Sequence, residues 1–389
     1  MKHWRFLVHS FAHFVNDGYG GFLAPLLPIL AEKHHLSLSL VSLLVTVQTL
    51  TASLSQPAWG YLSDRFPSRL FIIMGVLFAG IFSSLIGTVE SFAILVLCIL
   101  LGGLGTACFH PMATSLAAAY TKENKGLAIA LFITAGTAGY SFGPVFISFL
   151  VSELGLKNMY WAVLPALAAG ALWLVGGPYS KIRAASKPVS VFPPEEPSKV
   201  PWNPIYVLVG ISVIRAYVLL TFTNFIPFYL KDLGFSLKTR GVFLFALLFG
   251  DAIGSLIGGK FSDRLGRWKI IFWTPLFSLP FLYLFLFSPN LFSLSFVFLA
   301  GVFLFASAPA VVVGAQAMMV KRESLASALQ IGFAWGIAGL LISPTGKLAE
   351  HLGIYQTLLI AAAFPILMSL LALLLFQKRT LFEATAAHH

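Results

Sequence analysis

Long apolar runs broken by short polar islands are the dominant pattern of this chain. The runs fall at roughly 5–31, 38–62, 70–88, 92–119, 126–151, 159–178, 204–230, 238–259, 269–287, 291–318, 325–346 and 355–376. Each is about as long as the ~18–20 residues a helix needs to cross ~30 Å of hydrocarbon. The pattern predicts an all-α membrane protein with twelve transmembrane helices. Residues 179–202 carry Pro188, Pro193, Pro194, Pro197 and Pro201 among mixed charges and read as a flexible cytoplasmic linker. It divides the chain into two six-helix bundles, 1–178 and 203–389.

The two halves repeat one another. Gly60-Tyr-Leu-Ser-Asp64-Arg65, between the second and third runs, recurs as Gly259-Lys-Phe-Ser-Asp263-Arg264, an offset of 199 residues. The same offset relates Pro28 to Pro227 and Leu36-Ser37 to Phe235-Ser236, and an offset of 200 relates Gly139 to Gly339 and Gly143-Pro144 to Ser343-Pro344. A register held across the chain is an internal duplication, which constrains the fold before any local propensity does.

Composition agrees with the pattern: 58% of residues are hydrophobic, 10% are charged and mean hydropathy is +0.89. A soluble domain carries about 25% charged residues. The net charge of +11 does not call for nucleic acid, because its distribution follows the positive-inside rule. Lys2, Arg5, Arg65, Arg69, Lys260, Arg264, Arg267 and Lys269 fall on the side assigned to the cytoplasm with both termini, whereas Lys33, Lys157, Lys231, Lys238, Arg240 and Lys347 lie opposite. Cys98 and Cys108 share one predicted helix, ~15 Å apart, too far to bridge. The chain has no phosphate-binding loop, zinc-protease motif or nucleophile elbow, so neither enzyme, cofactor nor metal is expected.

Ionisable side chains inside a membrane are costly enough that function is the default explanation. On the first run His9, His13, Asn16, Asp17 and Gly20 follow helical spacing within about 100° of arc, a polar stripe that should face a wet cavity. The duplication aligns Asn16 with Arg215, so charged positions sit near mid-depth in both halves. Asp17 and Arg215 are expected to face each other, paired or bridged by substrate, since Arg suits bidentate recognition of a carboxylate or phosphonate. His13 and His110 titrate near neutrality and are candidates, with Asp17, for proton handling. Asp251 lies with Gly254, Ser255, Gly258 and Gly259 on a small-residue stripe, where a packing carboxylate and a titrating one are equally expected. Among the 37 Phe, Phe109 and Phe222 are candidate cavity walls, as is Trp335.

Twelve spans, a duplicated half, a proline-rich middle loop and the Gly-x-x-x-Asp-Arg loop together resemble the major facilitator superfamily. That resemblance implies two bundles about a pseudo-two-fold axis, alternating access, and a substrate site between the halves near the midplane. It also implies that Gly60, Asp64, Arg65 and Arg69, with Gly259, Asp263, Arg264, Gly266 and Arg267, form a cytoplasmic conformational latch, with each Asp at a helix N-terminus and paired to arginine. Pro67 stands where the first loop should repeat Gly266. Gly136, Gly139, Gly143 and Pro144 resemble part of the helix-packing motif of proton-coupled drug antiporters, with Ile147 and Ser148 in place of its trailing glycines.

The set His13-Phe-Val-Asn16-Asp17, Gln56-Pro57-x-x-Gly60-Tyr61, Phe109-His110-Pro111, Ala315-Gln316 and Gly258-Gly259 is similar to the fosmidomycin-resistance family of that superfamily. The similarity implies a monomeric, proton-driven inner-membrane exporter of small drugs or an anionic compound. Met112 and Ala317 stand where that family often has carboxylates. Their loss leaves uptake or facilitated transport of an organic anion or metal chelate as the alternative.

Overall fold

The computed structural model of the protein describes residues 2–66, 68–118, 125–177, 200–319 and 322–378. Nearly all of the linker expected over 179–202 lies outside them. Helices follow the apolar runs because a backbone in hydrocarbon must satisfy its own N–H and C=O groups.

The chain begins with α1 (Lys2–Gly20) and α2 (Leu23–Lys33), followed by α3 (Leu38–Leu54), α4 (Gln56–Arg65), α5 (Leu70–Leu85), α6 (Phe92–Ala118), α7 (Lys125–Leu154) and α8 (Leu164–Gly176). It continues with α9 (Trp202–Asp232), α10 (Leu237–Leu265), α11 (Arg267–Phe287), α12 (Leu294–Ala306), α13 (Ala308–Met318) and α14 (Glu323–Ala328). A π-helical turn, Leu329–Phe333, leads into α15 (Ala334–Leu352), and α16 is Ile354–Leu374.

Among the described residues ten helical segments are long and apolar enough to cross a membrane, marking an integral membrane protein. Two of the twelve expected runs differ. The third is a shorter apolar helix, Leu70–Leu85. The first is broken at Gly20–Gly21, where Gly21 N–H reaches back to the Gly18 carbonyl at 3.1 Å. Gly21 lies so close to α7 that a Cβ there would come 2.7 Å from Pro144 Cδ and from the Tyr140 carbonyl. The polar stripe of α1 removes it from the strongly apolar class.

Two compact units divide the described chain: one of residues 1–189 with 231–245, the other of residues 190–230 with 246–389. In the first, α5 packs on α6, α3 on α6, and α1 lies along α7. In the second, α11 packs on α12 and on α16.

Positions related by the sequence repeat carry the same local geometry. Gly60 faces Pro111 and Gly259 faces Pro309, at 3.7 and 3.6 Å from the position a Cβ would take. Ser63 donates to the Gly60 carbonyl at 2.9 Å, and Ser262 to Gly259 at 2.7 Å. His35 and Gly234 both turn through positive φ (51° and 82°), as do Gly155 and Gly353 (81° and 88°). That conformation favours glycine and is uncommon for histidine.

Lysines assigned to the outer side are neutralised locally within the first unit: Lys33 by Glu90 at 3.1 Å, Lys231 by Glu32 and Lys238 by Glu153.

Candidate functional site

The polar stripe of α1 resolves into two chemically distinct parts. His9 is fully buried. Its Nε2–H donates to the Ala113 carbonyl at 2.9 Å, and its Nδ1 accepts from the Trp173 indole at 3.3 Å. Phe132 stacks on the ring at 4.7 Å. With Nε2–H donating to a carbonyl and Nδ1 accepting from an indole, His9 is a neutral tie between helices.

One turn on, the environment changes. His13 Nδ1–H donates to the Phe132 carbonyl at 2.7 Å, because a carbonyl can only accept. That bond fixes the ring so that Nε2 faces Asp17 Oδ2 at 3.1 Å. His110, from α6, brings Nε2 to 3.4 Å from Asp17 Oδ1. Asn16 donates to the same Oδ1 at 3.0 Å. Phe132 and Phe109 stack on His13 with ring centroids 4.0 and 5.6 Å away, and the two imidazoles meet edge-on at 5.3 Å. Asp17 is half-buried, and Phe109, stacked on His13, is fully buried.

The chemistry follows from donor counting. With Nδ1–H already committed, the His13–Asp17 hydrogen bond needs one proton between Nε2 and the carboxylate. Removing it sets lone pair against lone pair. The pair is therefore a one-proton device, whichever atom carries the proton. The ligand atoms of His13, Asp17 and His110 lie within 4.8 Å of one another, the one cluster of three or more His, Cys, Asp or Glu side chains so spaced among the described residues.

Glycine creates the room. A Cβ at Gly136 of α7 would come 2.6 Å from Asp17 Oδ2 and press on the His13 ring. At Gly139 it would strike the Phe14 backbone, and at Gly143 the Gly18 carbonyl. These positions with Pro144 let α7 lie against α1 backbone to backbone. The sequence places Gly136 in a packing motif; its neighbourhood to the acid appears only in three dimensions.

In the second unit Arg215 is 4% exposed. Its Nη2 donates to Ser212 Oγ at 3.2 Å and its face rests on the Phe305 ring at 5.4 Å. The opposite charge acting on it within this unit is Asp251, through space. Asp251 is half-buried and accepts weakly from Ser255 at 3.4 Å. The stripe beside it is a close contact, since a Cβ at Gly254 or Gly258 would strike the backbone of Val302 or Ala306. Phe222 is buried at 1% exposure, and Trp335 is half-buried on α15.

The repeated loop differs from expectation in its arginines. Asp64 and Asp263 are exposed, and among the described residues neither is in an ion pair. Arg65 turns instead to the Tyr61 hydroxyl at 3.2 Å and the Phe66 ring at 5.7 Å, because both lie within one turn of it. Arg69 and Arg264 are exposed; Arg267 is buried at the start of α11, where Gly266 turns the chain at φ 95°.

This helical architecture with polar groups held inside it defines a membrane transporter. The chain belongs to the Major Facilitator Superfamily, which it matches over residues 10–327. Among characterised relatives it is 27% identical to the fosmidomycin resistance protein of Escherichia coli strain K12, across 92% of this chain and 89% of that one. It is 23% identical to the multi-drug resistance efflux pump PmrA of Streptococcus pneumoniae serotype 4, across 67% of each. In fold it is similar to a crystal structure of the nucleoside transporter NupG, with TM-score 0.76, 12% identity and coverage of 95% and 99% of the two chains.

Proposed function

We propose that this transporter exports a small anionic, drug-like compound in exchange for protons. The observation that supports this reading is the buried His13–Asp17–His110 group, whose central hydrogen bond requires one proton. Loss of that proton leaves two acceptors facing each other in a poorly solvated site, so protonation is coupled to local geometry. Such coupling is what alternating access needs: the proton stabilises one arrangement of the helices and its departure favours another. Arg215 supplies the complementary charge for an anionic cargo. In this reading the protein is a monomer in the inner membrane with cytoplasmic termini, and α1–α2 and α5 complete twelve spans. The two Asp-Arg loops act as the cytoplasmic latch through contacts made when the transporter changes state.

Uptake or facilitated movement of an organic anion or chelate is the second reading, supported by Met112 and Ala317, which are not the carboxylates that the resemblance to the fosmidomycin-resistance family implies there. Inside-out vesicles separate the two. Export predicts that fosmidomycin, the compound named by the Escherichia coli relative, accumulates when the vesicle interior is acidified. Asp17→Asn should abolish that accumulation while the protein remains inserted. Cells expressing the protein should also grow at fosmidomycin concentrations that stop control cells. Gradient-driven accumulation unchanged in Asp17→Asn would sink the proton assignment.

A further inference from the structure

A second polar group in this molecule has donors to spare. Gln330 is 1% exposed on the π-helical turn, and shares its buried face with Ala326, Ala334 and Ala338, each fully buried. It is the large polar group on a surface otherwise shaped for packing. Its carbonyl accepts from Ser212 Oγ at 2.8 Å, and Ser212 Oγ accepts in turn from Arg215 Nη2 at 3.2 Å. This relay leaves Gln330 Nε2 and Arg215 Nη1 buried with no hydrogen-bond partner. A buried donor left unmet is destabilising, and a charged one more so. The guanidinium carbon lies 5.4 Å from the Phe305 ring centroid, and that contact satisfies no N–H donor. A π turn inside an α-helix is also a recurrent mark of functional positions.

We propose that Gln330 and Arg215, held together by Ser212, form an oxyanion clamp that grips a phosphonate or carboxylate of the cargo. Nη1 takes one oxygen and Nε2 another, while Ser212 fixes both side chains before the ligand arrives. Two unmet donors joined through one serine, one of them cationic, match an anion with at least two oxygens; a neutral amide or hydroxyl would leave the guanidinium charge unanswered. Among the described residues Asp251 makes no ion pair with Arg215, so the two free donors stay open to a ligand. The clamp deepens the export reading by naming the group on the cargo that is held, and it rests on that reading for its biological role.

The test is direct binding to the purified full-length protein in nanodiscs, with fosmidomycin and phenylphosphonate as probes and the neutral diethyl ester of phenylphosphonate as control. The wild type should bind both anions and not the ester. Gln330→Leu should bind them at least tenfold more weakly. Gln330→Glu, the same shape with an internal carboxylate, should lose binding while melting at a higher temperature without ligand, because it satisfies Arg215 itself. Wild-type affinity in both variants, equal binding of the ester, or no anion binding by the wild type would each overturn the clamp. Protection of growing cells against fosmidomycin would still uphold export in those cases, so the two readings fail separately.

Discussion

His9 of α1 and His110 of α6 have opposite fates, and the difference lies in their partners. His9 has both nitrogens bonded to neutral groups, so its contribution is cohesion. Replacing it by Gln should lower stability by about 1–3 kcal/mol, the cost of orphaning buried partners. A thermal melt of the purified protein measures this, and the protein that remains folded should keep its transport rate. His110 faces a carboxylate and makes the opposite prediction. His110→Gln should leave the melt nearly unchanged and displace the pH dependence of transport. Equal effects of the two substitutions on transport would remove the distinction. Spacing on the α1 helix placed His9, His13 and Asp17 on one stripe; which atoms each would find across the helix gap was not in that spacing.

At the scale of elements, the contact between α1 and α7 sets the site. Gly139 and Gly143 bring the two backbones together, and Gly136, one turn earlier, leaves space for the His13–Asp17 pair. Gly139→Ala should therefore cost about 1–3 kcal/mol through overpacking, read as a lower melting temperature. Gly136→Ala presses on side chains instead of backbone. It should impair gradient-driven transport more than stability, measured by vesicle uptake beside the same melt. The glycine pattern was visible in the sequence as a packing motif. Its second role was hidden because the motif shows that two helices touch without showing which side chains the contact shelters.

On the scale of the whole molecule, duplication is the main fact. Sequence patterns repeated at an offset of about half the chain become matched turns at His35 and Gly234 and at Gly155 and Gly353, and matched Gly–Pro contacts at Gly60 and Gly259. In the orientation we propose, which the positive-inside rule predicts, both Asp-Arg loops face the cytoplasm. Single cysteines at Ser68 and Lys260, in a chain without Cys98 and Cys108, should react with an impermeant maleimide in inside-out vesicles and not in intact cells. A cysteine at Lys157 should do the reverse. Labelling of all three from one side would refute the assigned orientation.

The sequence by itself determined the class of the molecule. Hydrocarbon forces long apolar helices, and a repeat in the chain is a repeat in the fold, so both are written in one dimension. It also singled out Asp17, His13, His110 and Arg215, because charge inside a membrane is rare enough to stand out. Only the tertiary structure decided how those charges are used. The carbonyl of Phe132 orients His13, Ser212 ties Arg215 to Gln330, and Arg65 turns to Tyr61 instead of to its neighbouring acid. Each depends on groups distant in the chain or on a local rotamer choice, and hydropathy and spacing carry no information about either.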